Sequence, residues 1–167
     1  QNSVSIISMV GDDALGKEII EFLKVSSLDT ENIQISNIYK TGEVNISIDK
    51  NGIADYNILN PVAWDNILLN SKNIALTKNS SIFVFGSLIC RNVTSRETLK
   101  KLLKIAPFKL FDVNLRFPYY DLNLIKELMT CSDFIKFNHE EITEISLIYN
   151  KKKTSLENMI KTISEKT

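Results

Sequence analysis

The chain has 167 residues, 44% of them hydrophobic, which makes one ordinary domain with enough apolar material for a core. Twenty basic and twenty acidic side chains cancel, with a pI near 6.8, so no field gathers polyanions and a nucleic-acid partner is disfavoured. No apolar run approaches the roughly 18 residues needed to span a bilayer, and the opening QNSVSIISMV has no basic leader, which together point to a cytoplasmic protein without a membrane partner. The first residue is not Met, so residues upstream are expected. Cys90 and Cys131 have no CxxC spacing and read as two buried, reduced thiols. Lys outnumbers Arg seventeen to three, which singles out Arg91, Arg96 and Arg116, because the guanidinium fork suits phosphate and carboxylate as Lys does not.

Taken in chain order, short β-rich runs alternate with helical periodicities. Val4–Val10 predicts a strand ending at Gly11, and Leu15, Ile19, Ile20 and Leu23 mark a helical face within Ala14–Leu23. Asp12 or Asp13 stands where a helix N-cap is wanted. From Gly42 to Leu59, Val44, Ile46 and Ile48 alternate with polar residues, Asn51-Gly52 follows, and strand character continues over Ile53–Ile58. That pattern predicts a hairpin, because both turn residues tolerate positive φ. A hairpin inside a βα series reads as an insertion or lid. Ser81–Leu88 then predicts a fully buried strand, Ser95–Ile105 a helix stopped by Pro107, and Phe108–Val113 another strand. Asp121–Met129 is helical, Phe134–Phe137 extended and Glu140–Tyr149 helical. A last helix over Thr154–Glu165 follows a solvated Lys151–Lys153 turn. Strands separated by helices of this length predict parallel βαβ units.

Polar residues cluster at three strand ends, where open α/β sheets bind ligands. They are Val10-Gly11-Asp12-Asp13-x-x-Gly16, Asp112-Val113-Asn114-Leu115-Arg116, and Asn138-His139-Glu140-Glu141. Each has a plain structural reading: Asp13 as an N-cap, Asn138 as an N-cap with Glu141 closing a capping box, and Arg116 in a surface ion pair. Falling at successive strand ends, they together favour a phosphate or sugar site.

The order VGDD-x-x-G, then Thr41-Gly42 with a hairpin, then Phe85-Gly86-Ser87-Leu88, then D-x-N-x-R, then K-x-N-x-E-E resembles the ribokinase or phosphofructokinase-B family of carbohydrate kinases. Phe111–Arg116 is most similar to its fructokinase-like members, and the resemblance runs from about Val4 to Leu147. It implies an α/β fold with a ribokinase-like, Rossmann-type parallel sheet, flanking helices and a small β-hairpin lid. Residues 1–167 would form part of such a domain, with 41–60 as the lid. It further implies transfer of the γ-phosphate of ATP to a hydroxyl of a small-molecule sugar, with magnesium. By position, Gly11, Asp12 and Asn114 would bind the sugar, and Arg116 would stabilise charge on the transferred phosphate. Asn138 and Glu141 match the family's N-x-x-E motif at the nucleotide. Glu141 would reach magnesium through water, since that ion keeps several waters and takes few carboxylates directly. His139, the lone histidine, falls at a variable position of the motif and reads as a bystander.

Departures from the family pattern are as informative. The family's opening strand with a sugar-binding Asp, and the Gly-Gly stretch after it, do not precede Val4. No glycine follows Gly86. The closing Gly-Ala-Gly-Asp motif, whose Asp is the general base, therefore has no counterpart. The chain reads as the middle of a kinase about twice its length, without turnover of its own. One alternative is a non-catalytic module that binds a sugar or forms a homodimer through the lid, because an exposed hairpin edge invites pairing. Apolar residues on both hairpin faces would support it. A nucleotide-cofactor oxidoreductase needs G-x-G-x-x-G, and only Gly11 and Gly16 are available. Asn45, Asn57, Asn60 and Trp64 could contribute to sugar choice, Trp64 serving equally well as core.

Overall fold

The computed structural model describes residues 3–48, 50, 52, 54–149 and 155–165. The expected solvated turn at Lys151–Lys153, and Asn51 and Ile53 of the hairpin, lie outside them. The fold is α/β, and it divides into two compact units. One is Gln1–Asn73 with Asn92–Thr98, the other Ile74–Arg91 with Leu99–Thr167.

In the first unit β1 (Ser8–Gly11) leads through α1 (Ala14–Val25) to β2 (Ile33–Ser36), a four-residue strand too short to stand out in the sequence. The two strands pair in parallel, from Ser8 opposite Ile33 to Gly11 opposite Ser36. Val4–Val10 is thus strand only at its end; before it, Ser5 makes an isolated parallel bridge with Asp29. Asp13 resolves the choice of N-cap for α1, accepting from the Gly16 amide at 2.8 Å. The helix is apolar beyond one face: Gly16 is buried and Ile20 and Leu23 are half-buried, whereas Phe22 and Val25 are exposed.

The hairpin is present as β3 (Val44–Ile48) and β4 (Ala54–Ile58), antiparallel, with Ile48 opposite Ala54 as its last pair. Between the strands Gly52 adopts φ +80°. Directly opposed side chains share a face. Val44, Ile46 and Ile48 consequently line up with Tyr56 and Ile58, while Asn45, Ser47 and Asn57 take the other side. The hairpin is apolar on one face, not both, and Ile46 and Ile48 on that face are exposed. After β4, a short 3-10 turn (Ala63–Asn66) is held by Ser95, whose hydroxyl donates to the Trp64 carbonyl and accepts from the Ile67 amide, both at 2.8 Å. Trp64 is half-buried and lies flush on Gly42, where a Cβ would strike the indole nitrogen.

The second unit is a parallel sheet of β5 (Phe83–Gly86), β6 (Lys109–Asp112) and β7 (Phe134–Lys136), in that order. Helix α2 (Ser71–Asn79) begins in the first unit and ends in the second. The other helices of the second unit are α4 (Leu122–Thr130), α5 (His139–Tyr149) and α6 (Leu156–Ser164), with the C-terminal part of α3 (Val93–Leu103). Their apolar faces meet one side of the sheet in a core of Phe85, Phe111, Leu103, Ile125, Leu128, Met129, Ile142, Ile145 and Ile163. Phe85 and Phe111 stack at 5.0 Å between centroids. Asp121 and Ser155 cap α4 and α6. Two expectations are corrected here. The strand within Ser81–Leu88 is not fully buried, because Val84 points away from the helix-covered side and is 62% exposed. Of the two thiols only Cys90 is buried; Cys131 sits just past the end of α4 and is exposed.

Candidate functional site

The sequence-selected residues fall into two groups, Gly11 and Asp12 in the first unit and Asn114, Arg116, Asn138 and Glu141 in the second. Each group is built on a strand end tied down by a carboxylate.

In the first unit the tie is Asp13. Its Oδ1 accepts from the Gly16 amide and from the Thr41 hydroxyl (2.7 Å), and its Oδ2 accepts from the Thr41 amide (2.9 Å). The Thr41 hydroxyl in turn accepts from the Gly11 amide at 2.9 Å. The Thr41 amide, its hydroxyl and the Gly16 amide together hold the Asp13 carboxyl below its usual range, since each donor favours the charged form. This knot joins the end of β1 to the residue that opens the hairpin, 30 positions away. It leaves no room for a side chain at residue 11, where a Cβ would meet the Asp13 carboxylate, the Thr41 amide at 2.7 Å and the Tyr39 carbonyl at 2.9 Å. Asp12, next in the chain, donates its amide to the Ser36 carbonyl at 2.9 Å, while its exposed carboxylate makes a loose ion pair with Lys17 at 3.4 Å. Its carboxylate stands at the strand end with no part in the knot.

In the second unit the tie is Glu141, which is 7% exposed. Its Oε2 accepts from the Asn138 amide at 2.8 Å, and Asn138 Oδ1 accepts from the Glu141 amide at 2.8 Å, so the capping-box reading is correct. The other oxygen reaches across to the loop after β6, where Oε1 accepts from the Leu115 amide at 3.0 Å. That loop turns sharply because Asn114 adopts φ +41°, a left-handed conformation that Asn tolerates better than most residues. The Asn114 carbonyl accepts from the Ser87 hydroxyl, at the end of β5, at 3.2 Å. Arg116 is exposed, and its guanidinium donates to the Leu115 carbonyl at 2.9 Å. The surface ion pair expected for Arg116 is absent among the described residues. Nearby, Lys136 Nζ bridges both Asp112 oxygens at 3.0 Å. Glu141 thus ties the Asn138 cap to Leu115, the residue between Asn114 and Arg116, through one buried carboxylate.

Sequence reasoning missed Thr41 as a bridging group and Ser87 as a support for the Asn114 turn. Position alone could have found Ser87, since it follows Gly86 where β5 ends. The link from Asp13 to Thr41 spans too many residues for any local pattern to reveal.

Among the described residues no cluster of three or more His, Cys, Asp or Glu side chains could hold a metal ion. The buried Glu141 carboxylate already accepts two amides, but a carboxylate offers about four lone-pair positions. It fits a hydrated magnesium held through water and does not suit direct coordination. No helix among the described residues is long and apolar enough to cross a membrane.

The model of the pfkB family carbohydrate kinases matches residues 1–167. The uncharacterized sugar kinase PH1459 of Pyrococcus horikoshii is 31% identical over 147 residues, covering 83% of this chain and 47% of the relative. Its crystal structure superposes with a TM-score of 0.78 over 86% of this chain and 50% of that one, and it has also been crystallised in complex with ATP. The Arabidopsis thaliana protein named Probable fructokinase-7 is 26% identical over 151 residues, 84% of this chain and 44% of the relative. The fructokinase of Xylella fastidiosa, 16% identical, shares the fold with a TM-score of 0.84 over 98% of this chain and 53% of its own. The chain spans about half the length of the curated relatives it matches. With a family match over its whole length and a ribokinase-like parallel sheet, the chain belongs to the pfkB family of carbohydrate kinases.

Proposed function

We propose that the chain is part of a fructokinase-like enzyme that transfers the γ-phosphate of ATP to a sugar hydroxyl, working with magnesium in the cytoplasm. The observation that carries this reading is the pairing of Arg116 with a buried, capped Asn138–Glu141 box through one strand-end loop. In the reaction Arg116 faces the transferred phosphate, where a fixed guanidinium offsets charge spreading over the equatorial oxygens. Asn138 and Glu141 line the nucleotide side, Glu141 meeting magnesium through water. Gly11, Asp12 and Asn114 contact the sugar, and 41–60 is its lid. The general base belongs to a segment outside these 167 residues, so the chain alone does not turn over.

A second reading is supported by the hairpin. Its exposed apolar face of Val44, Ile46, Ile48 and Tyr56 suits a non-catalytic module that binds sugar or forms a homodimer through the lid.

A coupled assay for ATP-dependent fructose phosphorylation separates the two when run on the 167-residue chain and on the product of its complete reading frame. The intact mass of each product is checked against the frame. The kinase reading expects turnover from a longer product and none from the 167 residues. Turnover by the 167-residue chain overturns the missing base. A frame of only 167 codons, with fructose binding and no turnover, favours the binding module.

A further inference from the structure

We propose that Glu141 is a positioning residue, whose carboxylate fixes the Asn114-Leu115-Arg116 turn against the start of α5 and so sets the placement of Arg116. The proposal rests on the kinase reading for its functional meaning, and on geometry alone for its structural content.

A carboxylate serving only as the far half of a capping box needs one oxygen, the one that accepts from the Asn138 amide. The second Glu141 oxygen instead accepts from the Leu115 amide, 26 positions earlier and on a different loop. That bond contributes nothing to the cap. It is partly buried, and it is charge-assisted, the class of hydrogen bond that is shorter and stronger than a neutral one. The turn it holds has other attachments as well. Ser87 binds the Asn114 carbonyl, the Val113 amide donates to Lys136 at 2.9 Å, and the Tyr119 amide donates to the Arg116 carbonyl at 2.7 Å. Leu115 is the one amide between Asn114 and Arg116, and Glu141 is what orients it. Moving the start of α5 therefore moves the backbone that carries the guanidinium.

The substitution that reads this is Glu141→Gln. An amide keeps one acceptor oxygen and presents an NH₂ group where the second was; with the oxygen kept on the Asn138 amide of its own cap, the Leu115 amide loses its acceptor. In the 167-residue chain, amide hydrogen exchange followed by NMR is expected to speed up at Leu115 by about tenfold or more, with Phe111 in β6 unchanged. Asn138→Ala removes the cap from its other half and leaves the Glu141–Leu115 bond, so it is expected to loosen the first turn of α5 while Leu115 stays protected. Unchanged Leu115 exchange in Glu141→Gln, or equal loosening in Asn138→Ala, overturns the proposal. In the phosphorylation assay a misplaced Arg116 lowers kcat about tenfold or more with the KM for fructose unchanged, and added magnesium does not restore it. Because Glu141 also meets magnesium in the proposed function, the assay is run at saturating magnesium, and full recovery of kcat there assigns the loss to the metal alone and overturns the positioning role. A protein without kinase activity sinks the proposed function and leaves the exchange result standing.

Discussion

Two carboxylates tie strand ends in the two units, and they divide the work differently. In the first unit Asp13 caps α1 and holds Thr41, while the carboxylate of its neighbour Asp12 stands exposed and outside the knot. In the second, Asn138 and Glu141 are at once the cap of α5, the anchor of the Arg116 turn and the residues that match a kinase motif. Where scaffold and ligand-facing roles sit on adjacent residues, a substitution separates them cleanly. Where they coincide, a loss of function says nothing until the fold has been examined.

The largest effect is expected at the knot of the first unit. Gly11→Ala places a Cβ against two backbone atoms and the Asp13 carboxylate, and is expected to destabilise the protein by about 3 kcal/mol in urea unfolding. A shift under about 1 kcal/mol would show that the knot yields easily and that the glycine is not required by packing. Thr41→Val keeps the shape of a buried residue but strands the Gly11 amide, at an expected cost of about 2 kcal/mol. The same knot sets a pH dependence. With its pKa below the usual carboxylate range, folded Asp13 stabilises fully above the pKa of the unfolded carboxyl. That contribution is lost as pH falls through the folded value, because the unfolded chain takes the proton first. Asp13→Asn is expected to flatten the acid limb of the stability curve, as thermal melts across the acid range would record. The smallest effect is at Asp12. Replacing this exposed residue with Asn is expected to change stability by less than about 0.5 kcal/mol. On the kinase reading it nevertheless weakens fructose binding, measurable by calorimetry. Equal loss of stability from Asp12→Asn and Asp13→Asn would erase the division of labour.

Much of the architecture was legible because it depends on local pattern. Apolar periodicity located every helix from α3 onward, and the Asn138–Glu141 box could be read from spacing alone, since capping acts within one turn. The errors share another cause. Burial of Val84 depends on what covers the second face of a sheet, and that of Cys131 on how a helix ends. β2 is four residues long and carries no period of its own. The hairpin is readable from Asn51-Gly52 and the flanking alternation, but which residues share its faces depends on register, and pairing Ile48 with Ala54 puts Asn45, Ser47 and Asn57 together. Within the candidate site, the residue types and strand ends were readable, whereas the bonds from Asp13 to Thr41 and from Glu141 to Leu115 are products of tertiary folding.

On the kinase reading, the turn held by Glu141 presents Arg116 to a phosphate in flight. The most direct measurement is fructose-dependent ATP turnover by the product of the complete reading frame, compared with its Arg116→Ala variant. A loss of about 100-fold in kcat with fructose affinity within about twofold is the predicted result, the size expected when one fixed charge-stabilising donor is removed. Turnover by Arg116→Ala equal to that of the parent protein would contradict it.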